Sequence, residues 1–148
     1  MQLATMLERA QALYPERPAV VDGDIRRTYR ETAQRVRALA GFLGSRGVGV
    51  GTRVAVLEHN SAAFLESYFA CARLGAIAVP LNTRLATGEA AFIVADAEAR
   101  VLLAGPSFAA SVDALEAAGA QFDTLLWLGV APRARGTSYD DALAQRCA

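Results

Sequence analysis

Apolar positions along the chain follow two spacings in turn, and these predict helices and short strands. Near the amino terminus they recur at steps of three and four residues, as on one face of a helix: Leu3, Met6, Leu7, Ala10 and Leu13. Pro15 and Pro18 end this helix. Residues 19–21 are typical of a short strand, and Asp22-Gly23 predicts a tight turn into a second strand over residues 25–28.

The next helix has the most specific start signal in the chain. Thr28 and Glu31 have the spacing of a capping box, in which each side chain bonds a backbone N–H that the helix leaves unpaired. We expect Glu31 and Arg35, four residues apart, to pair on the solvent side, and Gly44 to end the helix. A continuous apolar stripe lies between these ends: Tyr29, Ala33, Val36, Leu39, Ala40 and Leu43.

Strand and helix patterns then alternate with short connections. Strands are predicted over residues 53–57, 76–79, 101–104 and 124–128, and helices over residues 61–74, 87–97 and 107–118. In the helix over 61–74, Asn60 is the expected cap, and the expected inner residues are Phe64, Leu65, Tyr68, Phe69 and Ala72. Ser138 and Asp141 predict the start of a last short helix after a loop over residues 132–136.

This order predicts an α/β fold with a mostly parallel sheet and helices on both faces. The strands are apolar on both sides, as in sheets covered by two helix layers, and parallel neighbours need a crossover connection. Without an internal repeat or a linker, residues 1–148 are expected to form a single domain.

Composition removes several classes of function. The 53% apolar fraction excludes a disordered chain, and the zero net charge argues against a basic nucleic-acid surface. No apolar run reaches the roughly 18 residues that cross a bilayer.

All 15 basic residues are arginine, which excludes a Schiff-base lysine, a lysine general base and a Walker-loop lysine. With one histidine, two distant cysteines and no signal-peptide pattern, we expect a cytoplasmic protein without a metal site.

Two polar segments follow predicted strands, where ligands bind in open α/β sheets. In residues 58–60, His59 is either an acid or base near neutral pH or a polar loop residue bonded to nearby backbone. In residues 81–84, Arg84 presents a planar donor fork for a phosphate or carboxylate, whereas Pro80 and Asn82 favour a simple turn. We favour the turn for the second segment, although it is the best site candidate in the chain.

The other candidate features are interpreted as structural. The glycines of residues 47–51 follow a helix and precede a strand, the reverse of a dinucleotide loop, and therefore predict a helix terminator and turn. We expect a solvated face to contain Arg26, Arg27 and Arg30. Cys71 is expected to be a small buried apolar side chain, and Cys147 to have no role. Ser61 and Ser107 are expected to cap helices.

Several segments in order resemble the AMP-forming acyl-CoA synthetase and ligase family. Residues 17–21 followed by Thr28-Tyr29-Arg30-Glu31 resemble the opening of that family and its first core motif. Residues 53–61 resemble its next strand and loop, and residues 74–82 resemble its second core motif. The match continues through residues 89–103. Three positions depart from the family pattern: Arg27, Thr32 and His59.

The resemblance implies the incomplete N-terminal subdomain of an enzyme that activates a carboxylic acid with ATP and Mg²⁺ and transfers the acyl group to CoA. The family's phosphate loop with Pro-Lys-Gly, its Tyr-Gly-x-Thr-Glu segment and its catalytic lysine do not occur in these residues. We therefore expect no catalytic, cofactor-binding or metal-binding residue in this chain and no activity from it alone. A homodimer is one expectation for the whole enzyme. The alternative is a free-standing flavodoxin-like module with its ligand at residues 58–60 and 81–84.

Overall fold

A computed structural model describes residues 3–145 of the chain, so Cys147 lies outside the described residues. The helices are α1 (Leu3–Leu13), α2 (Tyr29–Ser45), α3 (Ala62–Leu74), α4 (Thr87–Asp96), α5 (Ala109–Ala117) and α6 (Tyr139–Ala144). A 3-10 turn, Pro106–Phe108, precedes α5. The strands are β1 (Pro18–Asp22), β2 (Ile25–Thr28), β3 (Arg53–Leu57), β4 (Ile77–Pro80), β5 (Val101–Ala104), β6 (Thr124–Trp127) and β7 (Thr137–Ser138). Within this range, no helix has both the length and the apolarity that a bilayer crossing requires.

Five strands form one parallel sheet in the order β4-β3-β5-β6-β7, and β1 and β2 form a separate antiparallel hairpin. Numbered by their order in the chain, the five strands lie 2-1-3-4-5, which is a doubly wound arrangement. The predicted parallel sheet and the predicted hairpin are both confirmed.

Alternate side chains of the central strands enter two separate cores. On one face, Val54, Val56 and Leu103 pack with residues of α1, α2, α3 and α6. On the other face, Ala55 and Leu102 pack with residues of α4 and α5. The prediction of helices on both faces is therefore confirmed, and its cause is that neither face of β3 or β5 can remain in water.

The start of α2 is as predicted, but its end is not. Thr28 N donates to Glu31 Oε2 at 2.7 Å, and Glu31 N donates to Thr28 Oγ1 at 3.2 Å. The bond from Thr28 N to the Glu31 carboxylate, and then a bond from Thr28 Oγ1 to Glu31 Oε2 at 3.1 Å, lower the pKa of Glu31. Gly44 lies inside α2, where a Cβ would meet the side chain of Leu74 at 3.7 Å, and the left-handed turn falls on Gly47.

Tertiary packing changes four of the expectations. Strand β4 is an edge strand with Ile77 52% exposed, so it is not buried as predicted. Helix α3 starts after Ser61 instead of Asn60, and it turns Leu65 outward and Glu66 inward. The apolar stripe of α1 buries only Leu7. The two-residue strand β7 was not predicted, because two residues carry no periodicity.

The capping box makes a stability prediction. Thr28→Ala should lower the free energy of unfolding by about 1 kcal/mol, because it leaves the Glu31 N–H of α2 without its acceptor. Chemical denaturation of the 148-residue chain measures the change. Thr87→Ala is the control, since Thr87 is exposed at the start of α4 and its hydroxyl has no partner among the described residues. Equal losses in both variants would contradict the capping role.

Candidate functional site

The chain changes faces at the carboxyl edge of the sheet, between β3 and β5, and we call this switch point the crevice. Strand β3 leads into α3 on one face, whereas its neighbour β5 leads into α5 on the other. The loops after these strands therefore run in opposite directions. In open α/β sheets, ligands bind at such a switch point.

The two walls of this crevice touch at Gly105. Its N–H donates to the carbonyl of Leu57 at 2.9 Å, and a Cβ at this position would overlap the carboxylate of Glu58. Glu58 Oε1 also accepts the backbone N–H of His59 at 2.7 Å. The half-buried carboxylate is thus held against the loop after β5 by the backbone N–H of the next residue, in the space that the absent Cβ of Gly105 leaves free.

His59 lies at the rim of the crevice. Its imidazole is exposed and packs on the ring of Phe108, with ring centroids 4.8 Å apart and the planes tilted by 51°. The predicted bond to nearby backbone exists, but the side chain that makes it is Glu58. The imidazole has no hydrogen-bond partner within residues 3–145.

The loop after β4 supports both interpretations of residues 81–84. Asn82 Oδ1 accepts the backbone N–H of Arg84 at 3.0 Å, which confirms the predicted turn. The guanidinium of Arg84 is exposed and has no acidic or hydrogen-bond partner in the described part of the chain. Because β4 lies next to β3, this free cation is at the same edge of the sheet as the crevice.

The amino end of α3, which faces this edge, is already satisfied. Ser61 Oγ accepts the N–H of Phe64 at 3.1 Å, as predicted for a capping serine, and Asp22 Oδ2 accepts the N–H of Ala62 at 2.8 Å. Ser107 does not cap a helix. It lies inside the 3-10 turn that Pro106 starts, and the residue before that turn is Gly105.

A buried ion cluster below the edge was not predicted. Glu66 is 0% exposed and accepts hydrogen bonds from Arg27 Nη1 at 2.7 Å, Arg35 Nε at 3.0 Å and Tyr139 OH at 2.6 Å. We call these four residues the Glu66 cluster. Burial, followed by the charge of Glu66, raises the pKa of Tyr139 well above its usual range.

The Glu66 cluster corrects two expectations. Arg27 does not lie on a solvated face, although Arg30 does, where it pairs with exposed Glu16. Arg35 bonds Glu66 instead of Glu31, because α3 brings a buried carboxylate within reach. The only signal in the sequence was that Glu66 is the one charged residue of the segment 62–72.

The carboxyl edge presents an exposed imidazole, an exposed guanidinium and a half-buried carboxylate, from His59, Arg84 and Glu58. Among the described residues, no group of three or more side chains is suited to hold a metal ion. Cys71 is buried as predicted, and burial raises the pKa of its thiol to about 11, so it is a poor nucleophile. The glycine segment 47–51 forms the turn before β3, at the opposite edge of the sheet.

The close contact at Gly105 makes a prediction about the crevice. Gly105→Ala should push the Glu58 carboxylate away and break its bond to His59, lowering the free energy of unfolding by about 1 kcal/mol. Denaturation and the amide NMR shift of His59 measure the two effects. Gly88→Ala is the control, since a Cβ there meets nothing within 4 Å. An unmoved His59 amide in the first variant would contradict the contact.

Comparison with known proteins identifies the family. Residues 7–142 match the family described as AMP-binding enzyme. The long-chain-fatty-acid–CoA ligase FadD13 of Mycobacterium tuberculosis is 34% identical over 142 residues, covering 92% of this chain and 28% of that protein. Indoleacetate–CoA ligase of Aromatoleum aromaticum is 38% identical over 146 residues, covering 99% of this chain and 28% of that protein.

A solved structure gives the same result for the fold. The anthranilate CoA ligase AuaEII, in complex with anthranoyl-AMP, superposes with a TM-score of 0.90 at 26% identity, over 97% of this chain and 28% of that one. This chain thus spans 28% of the length of each of these relatives. The resemblance of separate segments is confirmed by a match across nearly all the described residues, and the chain belongs to the family of AMP-binding enzymes.

Proposed function

We propose that residues 1–148 are the single N-terminal α/β subdomain of an ATP-dependent acyl-CoA or aryl-CoA ligase. Such a ligase joins a carboxylic acid to CoA and converts ATP to AMP and pyrophosphate. The observation that carries the proposal is the match over residues 7–142, with relatives named as ligases of fatty and of aromatic acids.

The role proposed for this subdomain is that of a scaffold which is inactive alone. Activation of a carboxylate by ATP requires many fixed donors and charges around the phosphoryl groups. The chain contains no lysine, and the described carboxyl edge offers the free guanidinium of Arg84 and the imidazole of His59. These groups are too few to stabilise that charge, which supports the absence of a catalytic residue in this chain.

Within the whole ligase, we propose one exception to the expectation that this chain has no cofactor-binding residue: Arg84 contacts an anionic part of ATP or CoA. Its exposure, its lack of a partner among the described residues and its place at the carboxyl edge support this role. Mg²⁺ is proposed as the companion of ATP. The side chains within residues 3–145 do not fit a metal site, so no step is assigned to Mg²⁺ here.

Location and assembly belong to the same proposal. A free, buried Cys71 and a cysteine spacing that fits no disulfide framework support a cytoplasmic enzyme. The exposed apolar side chains of α1, including Met6 at 50% and Leu13 at 58%, support a homodimer. Sedimentation over a range of concentrations tests the dimer.

The scaffold role predicts no activity from the isolated chain. The purified 148-residue protein should catalyse no ATP–pyrophosphate exchange with a panel of fatty and aromatic acids, because the phosphoryl groups meet too few fixed charges. A full-length ligase assayed under the same conditions is the positive control. Exchange above background that survives repurification would contradict the proposal.

A graft tests the scaffold and Arg84 together. We expect indoleacetate–CoA ligase to keep its activity when its matched segment is replaced by the matched 146 residues of this chain. Arg84→Gln in the graft should raise the KM for ATP or for CoA about tenfold, the value of one charged contact. Arg26→Gln is the matched control, since Arg26 is an exposed arginine on the hairpin.

The two parts of the graft experiment fail in different ways. A folded graft without activity would contradict the scaffold role. An active graft in which Arg84→Gln and Arg26→Gln behave alike would leave the scaffold role intact and remove the role of Arg84.

A further inference from the structure

The Glu66 cluster joins four elements that are distant in the chain. Arg27 comes from β2, Arg35 from α2, Glu66 from α3 and Tyr139 from the first position of α6. Arg35 also lies over the ring of Tyr139, with its guanidinium carbon 5.2 Å from the ring centroid. The cluster is therefore the place where the carboxyl-terminal helix meets the layer formed by α2 and α3.

Few other bonds attach α6 to the sheet. Helix α6 has six residues, and β7 before it pairs with β6 at two residues, Thr137 and Ser138. Ser138 caps α6 itself through the N–H of Asp141, and Tyr139 N donates to the carbonyl of Gly129 in the preceding loop. Within residues 3–145, the bond from Tyr139 OH to Glu66 is the side-chain hydrogen bond that links α6 to the layer of α2 and α3.

The charges of the cluster allow this bond to break without leaving a buried ion alone. A buried carboxylate is costly unless it is paired and hydrogen-bonded. If α6 left, Glu66 would keep Arg27 and Arg35, and water would replace the hydroxyl of Tyr139. Opening would then cost the hydrogen bonds of Tyr139 OH and of the Trp127 indole, the short β7 pairing, the ion pairs of Arg133 and Arg135 with α5, and the apolar contacts of Tyr139 and Ala142, which are buried.

We propose that the bond between Tyr139 and Glu66 is a conformational latch. Closed, it holds residues 129–145 against the sheet; released, it lets this segment detach while β3, β5 and the helices α2 to α5 stay folded. In the proposed ligase, the latch sets the direction in which the polypeptide leaves the sheet after α6. That consequence rests on the proposed function, whereas the latch itself does not.

Amide hydrogen exchange of the 148-residue chain tests the latch. Tyr139→Phe removes the hydroxyl and keeps the ring, so protection of the α6 amides should fall about tenfold or more, as expected for a bond to a charged acceptor. Protection in β3 and β5 should stay within about twofold, because α2 to α5 still cover both strands after a local opening. Tyr68→Phe is the matched control, because it removes a hydroxyl from half-buried Tyr68 on α3, outside the cluster.

Trp127 provides a second measurement. It is the only tryptophan in the sequence, is fully buried, and donates its indole N–H to the carbonyl of Arg135 at 2.8 Å within the segment that would detach. Acrylamide should quench its fluorescence more strongly in Tyr139→Phe than in Tyr68→Phe. Equal quenching in the two variants would count against detachment.

Glu66→Gln separates the latch from the rest of the cluster. This change leaves both arginines without their carboxylate, so we expect the amides of β3 and β5, as well as those of α6, to lose protection from hydrogen exchange.

Two results for Tyr139→Phe would overturn the latch: unchanged exchange protection of the α6 amides, or an equal loss of protection in α6, β3 and β5. If Glu66→Gln does not fold, the comparison of the tyrosine variants still decides. None of these readouts involves ATP or acyl transfer, so failure of the proposed function leaves them unaffected.

Discussion

Strands β3 and β5 are buried on both faces, so each needs a helix layer on either side before its side chains leave water. This requirement explains the order of the chain. Helices α2, α3 and α6 cover one face, α4 and α5 cover the other, and the connections that cross the sheet make the strands parallel. It also creates the crevice, because the two central strands lead to opposite faces. The position of the candidate site is thus a consequence of how the core is covered.

One charged group interrupts the apolar layer of α2, α3 and α6. Glu66 is as buried as the leucines around it, yet it brings two arginines and a tyrosine into the same space. Buried ion clusters contribute little net stability compared with apolar packing, but they penalise every arrangement in which the partners are separated. At this position the two ion pairs hold the hairpin and α2 against α3, whereas α6 adds only the hydroxyl of Tyr139.

The strand order does not distinguish between the functions that the sequence left open. A free-standing flavodoxin-like module has the same 2-1-3-4-5 arrangement and would also bind its ligand at the crevice between the central strands. The ligase interpretation is instead favoured by segments whose sequence resembles the ligase family, from residues 17–21 at the hairpin to residues 74–82 around β4. The family match over residues 7–142 supports it. Fold and function therefore rest on different evidence in this protein.

The sequence by itself determined the features that depend on near neighbours in the chain. The capping box of Thr28 and Glu31, the hairpin turn at Asp22-Gly23 and the apolar strands over 53–57 and 101–104 all follow from contacts within a few residues or from a short period. The tertiary structure decided whatever needs a partner from elsewhere: the end of α2 beyond Gly44, the exposed edge of β4, the contact of Glu58 with Gly105, and the choice of Glu66 over Glu31 by Arg35. The physical reason is that periodicity reports which side of an element is buried, whereas the identity of the group that lies against it is set by packing between elements distant in the chain.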